Sequence, residues 1–223
     1  MPAWLDLYPL LFDVRIARSP EDVRTAQHLR FAAYCLDKEY LDARQYDDQC
    51  EVDEDDARSV HALLEFRPTA APVGSIRLIL PPRRFPVERV TGRDFVRELP
   101  GAERHRIAEI SRMCLTRRYL PDLDALGEAD GEAAGKRAMS YAILSLFRAV
   151  IHISREHGIT HWCGMMSPAV LRGSRRLGVH FEHIGRPLRF FGVKQPVAGV
   201  VEHVLEQMRK ERPELWEIAS NPV

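Results

Sequence analysis

Apolar positions along the chain switch repeatedly between a spacing of three to four and a spacing of two, which separates helices from strands. Val23, Ala26, Leu29 and Ala33 recur at helical spacing behind Ser19-Pro20-Glu21-Asp22, which supplies a capping hydroxyl, a proline at the first helical position and acids in the first turn. This pattern predicts a helix from Pro20 to Leu36. The acidic, weakly periodic stretch Asp37 to Asp56 reads as an excursion over the surface. Ser59 to Phe66 and Val73 to Leu80 are apolar runs joined by the proline-containing Arg67 to Pro72, which predicts two antiparallel strands. After a segment rich in proline and aromatic residues, Ile107 to Thr116 reads as a third strand.

Leu120 to Gly135 carries the Asp/Glu/Gly/Ala composition of a mobile loop that closes over a site. Lys136 to His157 places Met139, Ile143, Leu146, Val150 and Ile153 on one stripe and ends at Gly158, a long helix that packs on the sheet. Ile159 to Met165 reads as a strand, and Ser167-Pro168 starts a short helix that ends at Gly178. Val179 to Val193 is rich in strand formers but broken by Gly185-Arg186-Pro187. A last helix is expected from Pro196 to Arg212, with Val197, Val201, Val204 and Met208 inward. The order implies an α/β (α+β) fold: a mixed, mostly antiparallel sheet with helices on both faces, in one domain spanning residues 1–223.

Composition narrows the function classes. Lys and Arg number 32 and so do Asp and Glu, so no global basic field favours nucleic acid. Cys35, Cys50, Cys114 and Cys163 are widely spaced, with no Cys-x-x-Cys pair, which argues for reduced thiols. The first residues lack the pattern of a signal peptide, and the most apolar helix, Ala142 to Ile153, is too short to span a bilayer, which takes about 20 residues. A cytoplasmic protein without a membrane span is the expectation. Gly131 to Arg137 departs from a phosphate loop in spacing and lacks its Ser/Thr. His180 and His183 would point to opposite faces of a strand, so no metal site is expected.

The reactive residue types lie elsewhere. In strand geometry Glu109 and Ser111 share one face, with Ile110 and Arg112 on the other unless a bulge intervenes. Glu109 then either takes a proton as a general base or pairs with a neighbouring arginine. Arg77 lies opposite Ile76 and Leu78 in an apolar strand and needs a partner. Asp53 and Asp56, one turn apart, would reach one cation or one arginine, or else belong to a solvated acidic surface. Arg30, beside the apolar stripe of the first helix, either reaches those acids or is an ordinary flanking cation. Tyr34, one turn beyond, is either amphipathic core or the wall of a pocket.

These signals occur in one order: Arg30 with Tyr34, Glu51-Val52-Asp53-Glu54-Asp55-Asp56, Gly74-Ser75-Ile76-Arg77-Leu78, and Glu109-Ile110-Ser111-Arg112. That order resembles the motif series of autoinducer (acyl-homoserine-lactone) synthases and N-acyl amino acid synthases. It is closer still to the acyltransferases associated with PEP-CTERM/exosortase systems. Downstream, Met166 to Arg172, Leu177 to Phe181, Ile184-Gly185, Gly192 to Pro196 and Arg212 to Glu217 extend the resemblance across Leu29 to Glu217.

The resemblance implies a GNAT acyltransferase fold, with a sheet splayed to admit a pantetheine-linked thioester. It implies that Arg30, Asp53, Asp56 and Arg77 form an electrostatic cluster at the acceptor end, braced by Arg112. Glu109 becomes the general base and Ser111 orients the acceptor. The implied reaction moves a fatty acyl group from an acyl carrier protein, or from acyl-coenzyme A, to the amine of a small acceptor such as an amino acid, with no tightly bound cofactor. The alternatives are a homoserine-lactone synthase using S-adenosylmethionine and a non-catalytic, lipid-binding GNAT-like module. Two departures stand out. The family's Glu-Tyr-His-Gly segment is replaced by Leu188-Arg189-Phe190-Phe191-Gly192, and the coenzyme A signature is missing after the Glu109 strand. Arg172, Arg175 and Arg176 form a basic helix face that would either receive an acidic carrier protein or stay solvated.

Overall fold

The computed structural model describes residues 11–116 and 131–223, the side chains of 131–138 excepted. Its centre is an eight-stranded sheet ordered β1-β2-β3-β4-β5-β8-β6, with β7 also pairing with β8. The strands are β1 (Phe12–Ile16), β2 (Ser59–Phe66), β3 (Ala71–Ile79), β4 (Ile107–Leu115), β5 (His161–Met166), β6 (Glu182–His183), β7 (Leu188–Arg189) and β8 (Val193–Val200). All neighbours pair antiparallel except β4 and β5. The fold is therefore the expected mixed, mostly antiparallel sheet.

Strand alternation divides the charged from the apolar side chains. Ile76, Leu78, Ala108 and Ile110 join one apolar cluster with Leu146, Phe147, Val150 and Ile153 of helix α4 (Gly131–Glu156). Each buried branched-aliphatic or aromatic side chain among them contributes roughly 1.5–3 kcal/mol, and truncation at Leu146 would cost about 2–5 kcal/mol. Trp162, the largest fully buried side chain, satisfies its indole by donating to Ser154 Oγ at 2.8 Å. Arg77 and Glu109 point to the opposite face, which is covered by helix α1 (Pro20–Phe31) and by the short helices α2 (Pro86–Thr91) and α3 (Phe95–Glu98). Ser19 and Asp22 cap α1 reciprocally, as their spacing predicts. A π-helical turn, Ala32–Asp37, completes the predicted helix to Leu36 and swings Tyr34 inward.

Several expectations change. The stretch Asp37 to Asp56 is no mere surface excursion: Cys50, Glu51 and Asp55 are buried, because Glu51 and its neighbours answer arginines on the inner face. Helix α4 already includes Gly131–Gly135, expected as loop, while the part of that loop before residue 131 lies outside the described residues. The last helix begins at Val201, not Pro196. Pro196 to Val200 belong to β8, where β5 on one side and β6 on the other satisfy the backbone, so Val197 is a strand residue. The helical stripe spanned two elements. Val179 to Val193 yields only the two-residue strands β6 and β7. Helix α5 (Pro168–Arg176) starts at Ser167 as predicted, α6 (Val201–Glu211) follows β8, and α7 (Pro213–Ser220) completes the chain's helices among the described residues. All four cysteines are free and buried. No described helix is long and apolar enough to cross a membrane.

Candidate active site at the parting of β4 and β5

The inner face begins with a charge-balanced cluster. Arg30, wholly buried, donates from Nε to Glu51 at 2.5 Å and from its terminal nitrogens to Asp56 at 2.7 and 2.9 Å. Arg77, also wholly buried, holds Asp53 at 2.6 and 2.9 Å and Asp56 at 2.6 Å. Arg112 closes the ring on Glu51 and Asp53, both at 3.0 Å. Three guanidiniums thus meet three carboxylates, which is what allows burial of so many charges. Burial alone would raise the Asp53 and Asp56 carboxyls, but Arg77 and Arg30 hold both below the usual range. His61, Arg77's cross-strand partner, is pushed down to about 4 by burial and by Arg30, so the ring is neutral near pH 7.

Arg112 departs from simple alternation. Ser75 pairs with Cys114 and Arg77 with Ser111, so β4 spends one more residue than β3 over this interval. Arg112 sits at that bulge with φ of 50°, and the extra residue turns its side chain to the Ser111 face instead of the opposite one. Tyr34 buttresses the bulge by donating its hydroxyl to the Met113 carbonyl at 3.1 Å. It is both buried and part of the pocket wall.

Beside the bulge the sheet opens. The β4–β5 ladder ends at Ile110 opposite Gly164, although β4 continues to Leu115 and β5 to Met166. Gly164 permits the last close approach, since a Cβ there would meet the Ile110 carbonyl oxygen at 2.7 Å. Past it, Ser111, Arg112 and Met165 border a cavity of about 50 Å³. That is room for about four water-sized groups.

Glu109 forms the floor. It is 2 % exposed and accepts one hydrogen bond, from the Val87 N–H at 2.8 Å, through Oε2. Among the described residues no cation pairs with it. Burial pushes its carboxyl up to about 7, against the smaller opposing pulls of the Val87 amide and Arg77. Such a group exchanges a proton near neutrality, which suits a general base. Ser111 stands next to it along the face, 3.5 Å from the Arg77 guanidinium.

The mouth is aromatic and cationic. Phe190 and Phe191 cover the cavity, and Phe191 stacks on Tyr40 with ring centroids 6.4 Å apart. Arg112 lies 5.6 Å from the Phe191 ring. Lys194 lines the cavity, and Lys38 sits at the end of the π-helical turn.

The structure therefore brings Arg30, Tyr34, Asp53, Asp56, Arg77, Glu109, Ser111 and Arg112 into one region. Arg172, Arg175 and Arg176 are exposed on α5, apart from the cavity lining. Among the described residues no metal-binding cluster occurs. The Glu51 side chain, the Val87 amide, Tyr40, Phe191, Lys38 and Lys194 carried no assigned role in the sequence reading. Glu51 stands in the acidic motif two residues before Asp53, and that spacing is its one signal in the sequence. Phe191 and Lys194 stand in the downstream stretches of the same series, whereas the Val87 amide, Lys38 and Tyr40 had no signal, because they reach the site only on folding.

A family model described as an acetyltransferase (GNAT) domain matches residues 29–121, the segment from α1 through β4 that carries this cluster. No curated protein shows significant similarity. Among solved structures, TofI in a ternary complex with an inhibitor and MTA superposes with a TM-score of 0.62 at 17% identity, over 91% of this chain and 99% of that one. FeeM, an N-acyl amino acid synthase from uncultured soil microbes, gives 0.56 at 17% identity, over 88% of this chain and 94% of that one. BjaI, a CoA-dependent acyl-homoserine lactone synthase with SAM and isopentyl-CoA, gives 0.56 at 17% identity, over 94% and 98%. The chain has the GNAT acyltransferase fold.

Proposed function

We propose that the protein is an N-acyltransferase that moves a fatty acyl group from a carrier-linked thioester to the amine of a small acceptor, with an amino acid as the acceptor class. The observation that carries this reading is Glu109: a buried carboxyl poised near pH 7, with no cation paired to it among the described residues, at the point where β4 and β5 part. In the reaction, Glu109 takes a proton from the acceptor ammonium, directly or through water. The freed amine attacks the thioester carbon, and backbone N–H groups along the parted strands stabilise the oxyanion. The C–N bond forms, the C–S bond breaks, and the proton shed by the acylated nitrogen passes to the departing thiolate, directly or through water. No cysteine nucleophile is needed, since the amine attacks directly. Ser111 orients the acceptor, and the balanced cluster of Arg30, Asp53, Asp56, Arg77 and Arg112 keeps the floor rigid.

The missing coenzyme A signature favours an acyl carrier protein as donor, with exposed Arg172, Arg175 and Arg176 as its docking face. Charge reversal at Arg175 and Arg176 should weaken use of the carrier-bound donor; unchanged use removes that face from the proposal. The motif order favours the PEP-CTERM/exosortase-associated branch, and we place the whole reaction within one cytoplasmic domain. A homoserine-lactone synthase is the second reading, because TofI was seen with MTA and BjaI with SAM. Incubation with acyl-carrier thioesters and either amino acids or S-adenosylmethionine, followed by mass spectrometry, separates the two. Acylated amino acids support the first reading, and acyl-homoserine lactone with released methylthioadenosine replaces it by the second. No product with any amine leaves a lipid-binding module.

A further inference from the structure

The mouth of the cavity holds positive charge that the rest of the site does not use. Arg112 is consumed by Glu51 and Asp53. Lys194 and Lys38 are not: among the described residues neither ammonium has a carboxylate partner, yet both converge on one ring. Lys194 Nζ lies 5.8 Å from the Tyr40 centroid and Lys38 Nζ lies 5.9 Å from it, with Tyr34 a further 5.5 Å from Lys38. Lys194 is half-buried and shares the cavity lining with Glu109 and Ser111. Two like charges gathered over one aromatic group repel each other unless an anion lies between them. The charge-balanced cluster below contributes no net charge to oppose such an anion.

We propose that Lys194, assisted by Lys38, is the receptor for the acceptor's α-carboxylate and so selects free amino acids over neutral amines. This rests on the N-acyltransferase reading and deepens it. An amino acid carries its ammonium and its carboxylate on one carbon, so a carboxylate at Lys194 leaves the amine to face Glu109 within the same small cavity. The other anion a donor thioester offers, the phosphate of a pantetheine arm, is separated from the thioester by the whole arm. A phosphate held here would carry the reacting carbon away from Glu109. The cavity's size also suits the head of an amino acid and not an acyl chain.

The test compares glycine with glycinamide as acceptors for the parent protein, Lys194→Met, Lys194→Arg and Lys38→Met. The parent should prefer the acid. Lys194→Met should raise the KM for glycine about tenfold, the loss expected for one charged hydrogen bond. Lys194→Arg should restore most of it, and Lys38→Met should produce a smaller rise. The donor KM should not move. Added salt should shrink the preference, because the mouth is partly exposed. Calorimetry with N-lauroylglycine and N-lauroylglycinamide reads the same site without turnover. The acid should bind the parent more tightly, and Lys194→Met should abolish the difference. Equal binding of acid and amide overturns the carboxylate receptor even if turnover is robust, and so does a Lys194→Met defect confined to the donor KM. Absence of any acylated product, with the binding preference intact, overturns the enzymatic reading and leaves the receptor standing.

Discussion

Glu88 and Glu109 both keep their side chains off the surface, and the fold holds them in opposite states. Glu88 in α2 is wholly buried but receives both terminal nitrogens of Arg104, at 2.7 and 2.8 Å, and the N–H groups of Phe85 and Phe95 at 2.9 and 3.1 Å. Burial works to raise it, yet Arg104 and the two amides outweigh burial and keep it ionised. Glu109 has the Val87 amide and, among the described residues, no paired cation, and burial lifts it to about 7. A buried acid is therefore not in itself a reactive one. Unmet demand for a counter-charge separates the catalytic candidate from the structural brace.

The largest effect should come from removing the reactive member. Glu109→Gln keeps an acceptor for the Val87 amide but cannot take a proton, so turnover with any acceptor should fall at least about 100-fold in a steady-state assay. Stability should move the other way. The folded carboxyl titrates about 7 and the unfolded one near 4.5, so between these values the folded state holds the extra proton, and stability declines as pH rises. At pH 8 the buried charge is fully unfavourable, and Glu109→Gln should stabilise by roughly 2–3 kcal/mol in denaturant melts. Unchanged turnover would remove Glu109 as the base.

Arg77→Met leaves two guanidiniums, Arg30 and Arg112, to balance three buried or half-buried carboxylates. Asp53 and Asp56 would keep their burial and lose a shared guanidinium, at a cost of about 3–5 kcal/mol in chemical denaturation. Arg104→Met does the same to Glu88 and should raise its carboxyl toward the behaviour of Glu109. The cost should be smaller, about 2–3 kcal/mol, because Arg104 is partly exposed and water replaces some of what is lost. If Glu88 stayed ionised in that variant, the two backbone amides would be sufficient by themselves.

The subtlest prediction concerns pH. His61 titrates near 4 when folded and about 6.5 when unfolded, so its contribution is lost as pH falls through that window. Glu109 has the opposite slope over much of the same range, and each reaches at most roughly 1.4 kcal/mol per pH unit. The two oppose in the parent protein between about pH 4.5 and 6.5. Glu109→Gln should unmask His61, so that its stability falls more steeply on acidification than the parent's. Parallel pH curves for parent and variant would contradict the assignment.

Much of the fold was legible because it rests on local rules. Ser19 and Asp22 cap α1, Ser167 caps α5, Gly158 ends α4, and β2 occupies the span its apolar run predicted. The failures share a cause. Val197 satisfied a helical stripe and a strand equally well, and the choice depended on β5 and β6 standing ready to pair with it. The acidic run from Glu51 looked solvated until arginines from α1, β3 and β4 were placed above it.

By itself the sequence determined α1, β2 to β5, α4 and α5, and it set Arg77 and Glu109 opposite the apolar side of their strands, because spacing and capping act over a few residues. Only the tertiary structure decided which of those charges are spent. The bulge at Arg112 and the end of the β4–β5 ladder depend on register between distant strands, and a carboxyl's proton affinity depends on what surrounds it in three dimensions. Glu109 differs from Glu88 in what surrounds it, and those surroundings come from elsewhere in the chain.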